Sequence, residues 1–183
     1  MAELSDDLLL LAKELIERDP TRPKQASLRR SISNCYYAVF HRLVKDCCSL
    51  LVPSTPEMRP TQAILARSFE HGTIADVCDD ILNLLTNPPS KQHKARVLHF
   101  AAAFKGPGQN HLERFATHFV SLQKARHDAD YDLAKRVDKF TATTTLANAK
   151  AAIADWGQLL NNDKRSSYAF AFLLLHWKAL KSR

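Results

Sequence analysis

Glycine is scarce in this chain: four residues in 183, with two methionines and two tryptophans. So few glycines leave little of the turn chemistry that many short strands need. No run alternates apolar and polar residues in the period of a half-buried strand, and no repeat of fixed period occurs. No apolar stretch approaches the ~18 residues of a membrane span, so no membrane partner is expected. The first apolar block, Leu8, Leu9, Leu10 and Leu11, is short and follows Asp6 and Asp7 rather than basic residues. That pattern argues against a signal peptide, and a cytoplasmic protein is expected.

Several chemistries are missing too. The cysteines, Cys35, Cys47, Cys48 and Cys78, form no C-x-x-C, and adjacent Cys47 and Cys48 do not easily share one tetrahedral site. They read as small core hydrophobes in a reducing compartment. There is no H-E-x-x-H, no phosphate-cradling glycine loop and no G-x-S-x-G. Ferritin-like metal sites need Glu-x-x-His pairs from facing helices, whereas Glu70 and His71 are adjacent and His127 with Asp130 is a single i, i+3 pair. No metal and no cofactor are expected.

What is present is a basic, helix-patterned sequence. The formal charge is +7, with 45% hydrophobic and 25% charged residues, and the charge is uneven. Residues 1–21 hold six acids against Lys13 and Arg18. Residues 81–112 hold no acid but include Lys91, Lys94, Arg96, Lys105, His93, His99 and His111. Residues 163–183 set Lys164, Arg165, Lys178, Lys181 and Arg183 against Asp163. Such a balance suits either a polyanion, nucleic acid first, or an ordinary solvated basic surface.

The length suits one domain, 1–183, with its own core. Apolar periodicity predicts core helices at about 4–18, 24–52, 109–136, 143–160 and 165–181, with shorter helices inserted at about 61–104. Ser5 is the expected N-cap of the first, ahead of Asp6 and Asp7. In the second, Leu28, Ile32, Cys35, Val39, Leu43 and Leu50 share a face, opposite Arg30, Asn34, His41 and Lys45. Gly72 reads as a C-cap, residues 87–90 (Asn-Pro-Pro-Ser) as a break, Thr141 or Thr143 as a later N-cap, and 161–163 as the final turn. The fold expected is all-α: an antiparallel bundle of long helices with shorter ones inserted.

The anomaly lies late in the 109–136 pattern. Leu112, Phe115, Phe119, Leu122, Leu133 and Val137 fall on one side, and Arg126 and Asp130 land inside that stripe four residues apart. His127 and Tyr131 form a second i, i+4 pair on its flank. A core-facing arginine must be paired or must look into a cleft, because burying a lone charge is costly. Arg126 and Asp130 therefore read as a structural ion pair or as part of a site. Tyr36 and Tyr37 suit core packing or base stacking, and His41 a core histidine or a cleft residue. Arg29 and Arg30 suit a solvated helix start, or a nucleic-acid surface shared with Lys124 and Arg126.

Two segments carry a family likeness. LRRSISNCYYAVFHRL (28–43) resembles the second-helix signature of the HEPN superfamily, an arginine-led amphipathic helix with a Tyr-Tyr-Ala-x-Phe-His run. ARHDADYDL (125–133) resembles the superfamily's later motif, which opens with arginine and a polar residue, and RSFEHG (67–72) is similar to a connecting segment of some members. The resemblance implies a helical bundle that dimerises through the motif helices. In many members it also implies metal-independent RNA cleavage in a cleft shared by two copies. Arg126 then matches the phosphate-holding arginine and His127 the adjacent polar position. Tyr131 stands where the motif's terminal histidine belongs. An unperturbed tyrosine, with pKa about 10, does not shuttle protons at neutral pH as histidine does.

Two functions follow as expectations. In the first, a homodimeric RNA-binding protein, by family resemblance a toxin- or defence-type ribonuclease, uses Arg126, His127 and Tyr131 for chemistry. Arg29, Arg30 and Lys124 bind RNA, and Asp130, Tyr36, Tyr37 and His41 line the cleft. In the second, the chain is a non-catalytic interaction or antitoxin-like module of the same fold. Its partner would be a protein, such as the nucleotidyltransferases or antitoxins that accompany some family members.

Overall fold

A computed structural model describes residues 3–19, 21–86 and 95–181. The protein is all-α, and no strand occurs among the described residues. In chain order the α-helices are α1 (Leu4–Glu17), α2 (Gln25–Leu51), α3 (Arg59–Ala66), α4 (His71–Thr86), α5 (Ala95–Leu98), α6 (Ala101–Phe104), α7 (Gln109–Tyr131), α8 (Lys139–Asn162) and α9 (Lys164–Lys181). A 3-10 turn, Pro56–Met58, leads into α3. No described helix is long and apolar enough to cross a membrane. Residues 87–90 and the basic residues Lys91, His93, Lys94 and Arg183 lie outside the described residues.

Packing divides the chain into two compact units: Met1–Arg42 with His118–Ala154, and Leu43–Thr117 with Asp155–Arg183. In the first unit, Leu28, Ile32, Cys35, Tyr36 and Val39 of α2 are buried at the 3.6-residue period. They are joined in the unit's core by Ala12 and Ile16 of α1, and by Phe119 and Leu122 of α7. Helix α8 contributes Ala142, Leu146, Ala149 and Ala152, a stripe of mostly small residues. Asn34, expected on the polar side of α2, is 2% exposed. It lies one residue from Cys35 and Ser33 in a stretch of α2 that is buried all round.

The second unit is built on α4 and α9. Ile74, Val77, Cys78, Ile81 and Leu84 form one stripe, and Phe170, Leu173, Leu174 and Trp177 the other. Phe115, Trp156 and Phe170 stand 5.3–5.9 Å apart, ring to ring. The Trp156 indole N–H donates to Asp46 Oδ2 at 3.0 Å, giving its one polar atom a partner. All four cysteines are buried and free. Burial pushes the Cys35 thiol up to about 12 and raises Cys47, Cys48 and Cys78 as well. None is poised as a nucleophile.

Several helix ends differ from expectation. Glu3, not Ser5, is the N-cap of α1, and Ser5 sits buried inside the helix. Helix α8 starts at Lys139 because Asp138 Oδ1 accepts from the Thr141 N–H at 2.7 Å. Thr141 and Thr143 lie within the helix, the latter bonding back to the Lys139 carbonyl. Gly72 lies in the first turn of α4 rather than after a helix. The expected final turn is one residue, Asp163, whose Oδ1 caps α9 through the Ser166 N–H at 3.0 Å. The same carboxylate accepts from the Gly108 N–H at 3.1 Å. A Cβ added at residue 106 would meet Asp163 Oδ2 at 2.5 Å, and one at 108 would meet Leu159 Cδ1 at 2.5 Å and Asp163 Cβ at 2.7 Å.

The largest difference is at the end of α7, which stops at Tyr131 rather than near 136. The Asp132 carboxylate accepts from the Ala134 and Lys135 N–H groups at 3.1 and 3.2 Å, an Asx-type turn that competes with the helix. Leu133 therefore leaves the stripe and is 86% exposed. Val137 is buried, but from the loop: Gln25 exchanges two hydrogen bonds with its backbone, at 2.6 and 2.9 Å.

Candidate functional site

Within the first unit, the last two turns of α7 meet the middle of α2 around one guanidinium. Arg126 and Asp130, four residues apart on α7, place Nε 2.7 Å from Oδ2, with side chains 19% and 28% exposed. The Nε–H makes no hydrogen bond despite that approach, because it is not aimed at the carboxylate. Asp130 turns its other oxygen to the Ser33 hydroxyl of α2, which donates at 2.5 Å. Arg126 Nη2 donates to the Tyr37 hydroxyl at 2.9 Å, with the Tyr131 hydroxyl 3.5 Å away.

Three tyrosine rings enclose the cation. The guanidinium carbon lies 5.9, 5.5 and 5.3 Å from the ring centroids of Tyr36, Tyr37 and Tyr131. Tyr36 is fully buried and packs on Phe119, whereas Tyr131 is 62% exposed. Burial opposes the Arg126 charge, but the Tyr37 hydrogen bond and the Asp130 charge outweigh it and raise the guanidinium's pKa. Among the described residues nothing hydrogen-bonds to Nη1. The cage leaves Arg126 charged, fixed and with donors unengaged, which is what binding a second oxyanion requires.

Two imidazoles flank the cage. The exposed His127 ring stands 5.1 Å from Tyr131, and the exposed His41 ring stacks at 6.2 Å on Tyr37 and meets Phe40 edge-on. Arg126, His127, Tyr131, Asp130, Tyr36, Tyr37 and His41 are thus gathered in one continuous set of contacts. Arg30 and Lys124 are exposed and make no contact within it.

Arg29 has a different task. Its guanidinium donates to the Ala129 carbonyl at 2.8 Å and the Asp132 carbonyl at 3.0 Å, and also to that of Lys135. It closes the carbonyl end of α7, where a cation also complements the helix dipole. Beside it, Asp128 and Lys135 pair at 2.5 Å, which holds the Asp128 carboxyl below its usual range. Sequence reasoning missed the roles of Ser33 and Arg29. Their only local signal was two polar residues beside the buried face of α2.

It also missed a second charged cluster, in the other unit. Arg114 of α7 grips Asp155 of α8 with bonds of 2.6, 3.0 and 3.2 Å, and His111 Nδ1 lies 2.9 Å from the same carboxylate. Burial pushes the Asp155 carboxyl up, but the Arg114 and His111 bonds outweigh it and hold it below the ordinary carboxylate range. Among the described residues no three His, Cys, Asp or Glu side chains converge as a metal site would. Compared with protein-family models, curated proteins and solved structures, the chain matches none of them.

Proposed function

We propose that this is a HEPN-like RNA-binding protein that cleaves RNA without a metal, in a cleft centred on Arg126. The observation that carries the reading is the caged guanidinium: a charged fork held among Tyr36, Tyr37 and Tyr131 with Nη1 unengaged. A phosphodiester oxygen is the oxyanion that such a fork fits, and fixing it costs no rearrangement at the moment of reaction. His127, exposed and one residue away, is the α7 imidazole for proton transfer. The Tyr131 hydroxyl steadies Arg126 or reaches phosphate. The net charge of +7 favours capture of a polyanion. A homodimer pairing two such sites, acting in the cytoplasm, completes the proposal.

The test is incubation of purified protein with mixed RNA in excess chelator, beside Arg126→Ala. Chelator-resistant cleavage that leaves 2′,3′-cyclic phosphate ends, and is lost in the variant, is the expected result. Equal cleavage by both proteins, or none by either, overturns the reading.

The rival is a non-catalytic interaction or antitoxin-like module of the same fold. It is favoured by Tyr131 in the terminal-histidine position and by the exposure of Leu133 and Phe140, 86% and 79%, which suits a protein partner such as a nucleotidyltransferase. Salt separates the two: phosphate contacts weaken steeply as salt rises, whereas an apolar interface does not.

A further inference from the structure

RNA cleavage by its own 2′-hydroxyl needs two proton transfers. A base removes the 2′-hydroxyl proton as that oxygen attacks phosphorus. An acid then protonates the 5′-oxygen as the P–O5′ bond breaks, giving a 2′,3′-cyclic phosphate and a 5′-hydroxyl. One imidazole beside Arg126 serves only one of these, and position 131 carries a phenol rather than a second imidazole. The cage, however, is reached from two helices. From α7 comes Tyr131 with His127 against it at 5.1 Å, and from α2 comes Tyr37 with His41 stacked on it at 6.2 Å.

We infer that His41 is the catalytic base of this site, taking the 2′-hydroxyl proton while His127 protonates the leaving 5′-oxygen. The inference rests on the ribonuclease reading of the Arg126 site. Tyr37 connects the two parts: its hydroxyl accepts from Arg126 Nη2 at 2.9 Å while its ring face carries the His41 imidazole. His41 lies one helical turn beyond Tyr37 on α2 and is exposed, so the side chain that bonds Arg126 also carries a solvent-accessible imidazole on its ring. Partial burial against its ring neighbours also pushes the His41 imidazole below its ordinary value, keeping the proton-accepting neutral form populated at neutral pH. The arrangement places in α2 the second imidazole that position 131 does not supply.

A short RNA whose scissile 5′-oxygen is replaced by sulfur separates the two roles, because a thiolate leaves without a proton. On ordinary RNA in excess chelator, His41→Ala and His127→Ala should each cleave about 10²–10⁴-fold more slowly than wild type. On the sulfur substrate, His127→Ala should return close to the wild-type rate while His41→Ala stays slow. Both residues are exposed, and circular dichroism of the variants checks that they fold. A full rate in His41→Ala, with Arg126→Ala inert, overturns the role of His41 and leaves the Arg126 site standing. Rescue of His41→Ala by sulfur overturns its assignment as base. Wild-type protein inert toward ordinary RNA overturns both.

Discussion

Helix α7 carries Arg114 in the second unit and Arg126 in the first, and each faces an aspartate with a histidine close by. Arg114 reaches α8 and holds Asp155 through three hydrogen bonds, with His111 on the same carboxylate. The carboxylate is only 12% exposed, so its charge must be neutralised where it stands, and it is. Arg126 pairs with Asp130 on its own helix, leaves Nε–H unaligned and Nη1 unengaged, and takes much of its surroundings from tyrosine rings. Three hydrogen bonds onto one mostly buried carboxylate of a different helix mark the first pair as a clamp between helices. The second pair differs in staying on one helix, in the unaligned Nε–H and in the tyrosine rings around the cation, and the proposed function turns on that difference. Residue types alone do not tell these apart, and the angles and partners do.

The sharpest way to break this contrast is Arg126→Ala. RNA cleavage should fall by about 10²-fold or more, the usual effect of removing one charge-stabilising donor from an active site. Unfolding free energy should drop by only about 1 kcal/mol, because Asp130 keeps its Ser33 partner and partial access to water. A loss of 3–5 kcal/mol, the signature of a broken buried pair, would instead make Arg126 a second clamp.

Asp155→Asn probes the other side. It keeps the shape but removes the charge, and chemical denaturation should show a loss of about 1.5–3 kcal/mol. Cleavage per folded molecule should be unchanged. A fall in cleavage at full stability would undo the assignment of this cluster as structural.

The acid limb of stability should report the same carboxylates. Asp155 and Asp163 both titrate below the ordinary carboxylate range, Asp163 because the Ser166 and Gly108 bonds outweigh its burial. A depressed folded-state pKa contributes stability that is complete above the unfolded value of about 3.9. That stability is lost as pH falls through the folded value. Melting temperature should therefore hold above about pH 5 and fall below about pH 4, less steeply in Asp155→Asn. Identical acid limbs in the two proteins would show that Asp155 carries none of it.

The smallest expected effect is Arg29→Ala, which removes three donors from the carbonyl end of α7. A cost of about 1 kcal/mol should be read in denaturation. Faster amide exchange should appear at residues 129–137 and nowhere in the second unit. Protection unchanged there would mean that the Asp132 turn alone ends the helix.

Much of the framework was legible in the sequence because burial in helices has a short, regular period. Leu28, Ile32, Cys35 and Val39 are buried as expected, and so are Leu112, Phe115, Phe119 and Leu122. The same reasoning overran α7, since Leu133 and Val137 continue the period while Arg29, about 100 residues earlier, and Asp132 end the helix. The i, i+4 pairing of Arg126 with Asp130 was legible for the same local reason. The parts of the cage from α2, Tyr37 and Ser33, stand 89 and 97 positions from their partners, and no periodicity links them. Arg114 and Asp155 are 41 positions apart on two helices, beyond any local pattern.

The meeting of Gly106, Gly108 and Asp163 has a consequence for how this chain can evolve. Half of its glycines lie where a methyl group would strike Asp163 or Leu159, and the other two, Gly72 and Gly157, have open space around them. The carboxylate of Asp163 at once caps α9 and fills the volume that two side chains would occupy. Positions 106, 108 and 163 are therefore coupled alleles: a larger residue at 106 displaces the Asp163 carboxylate, one at 108 displaces both Asp163 and Leu159, and a smaller residue at 163 that made room would remove the cap. Among diverging descendants this corner should drift last, while the open glycines vary freely.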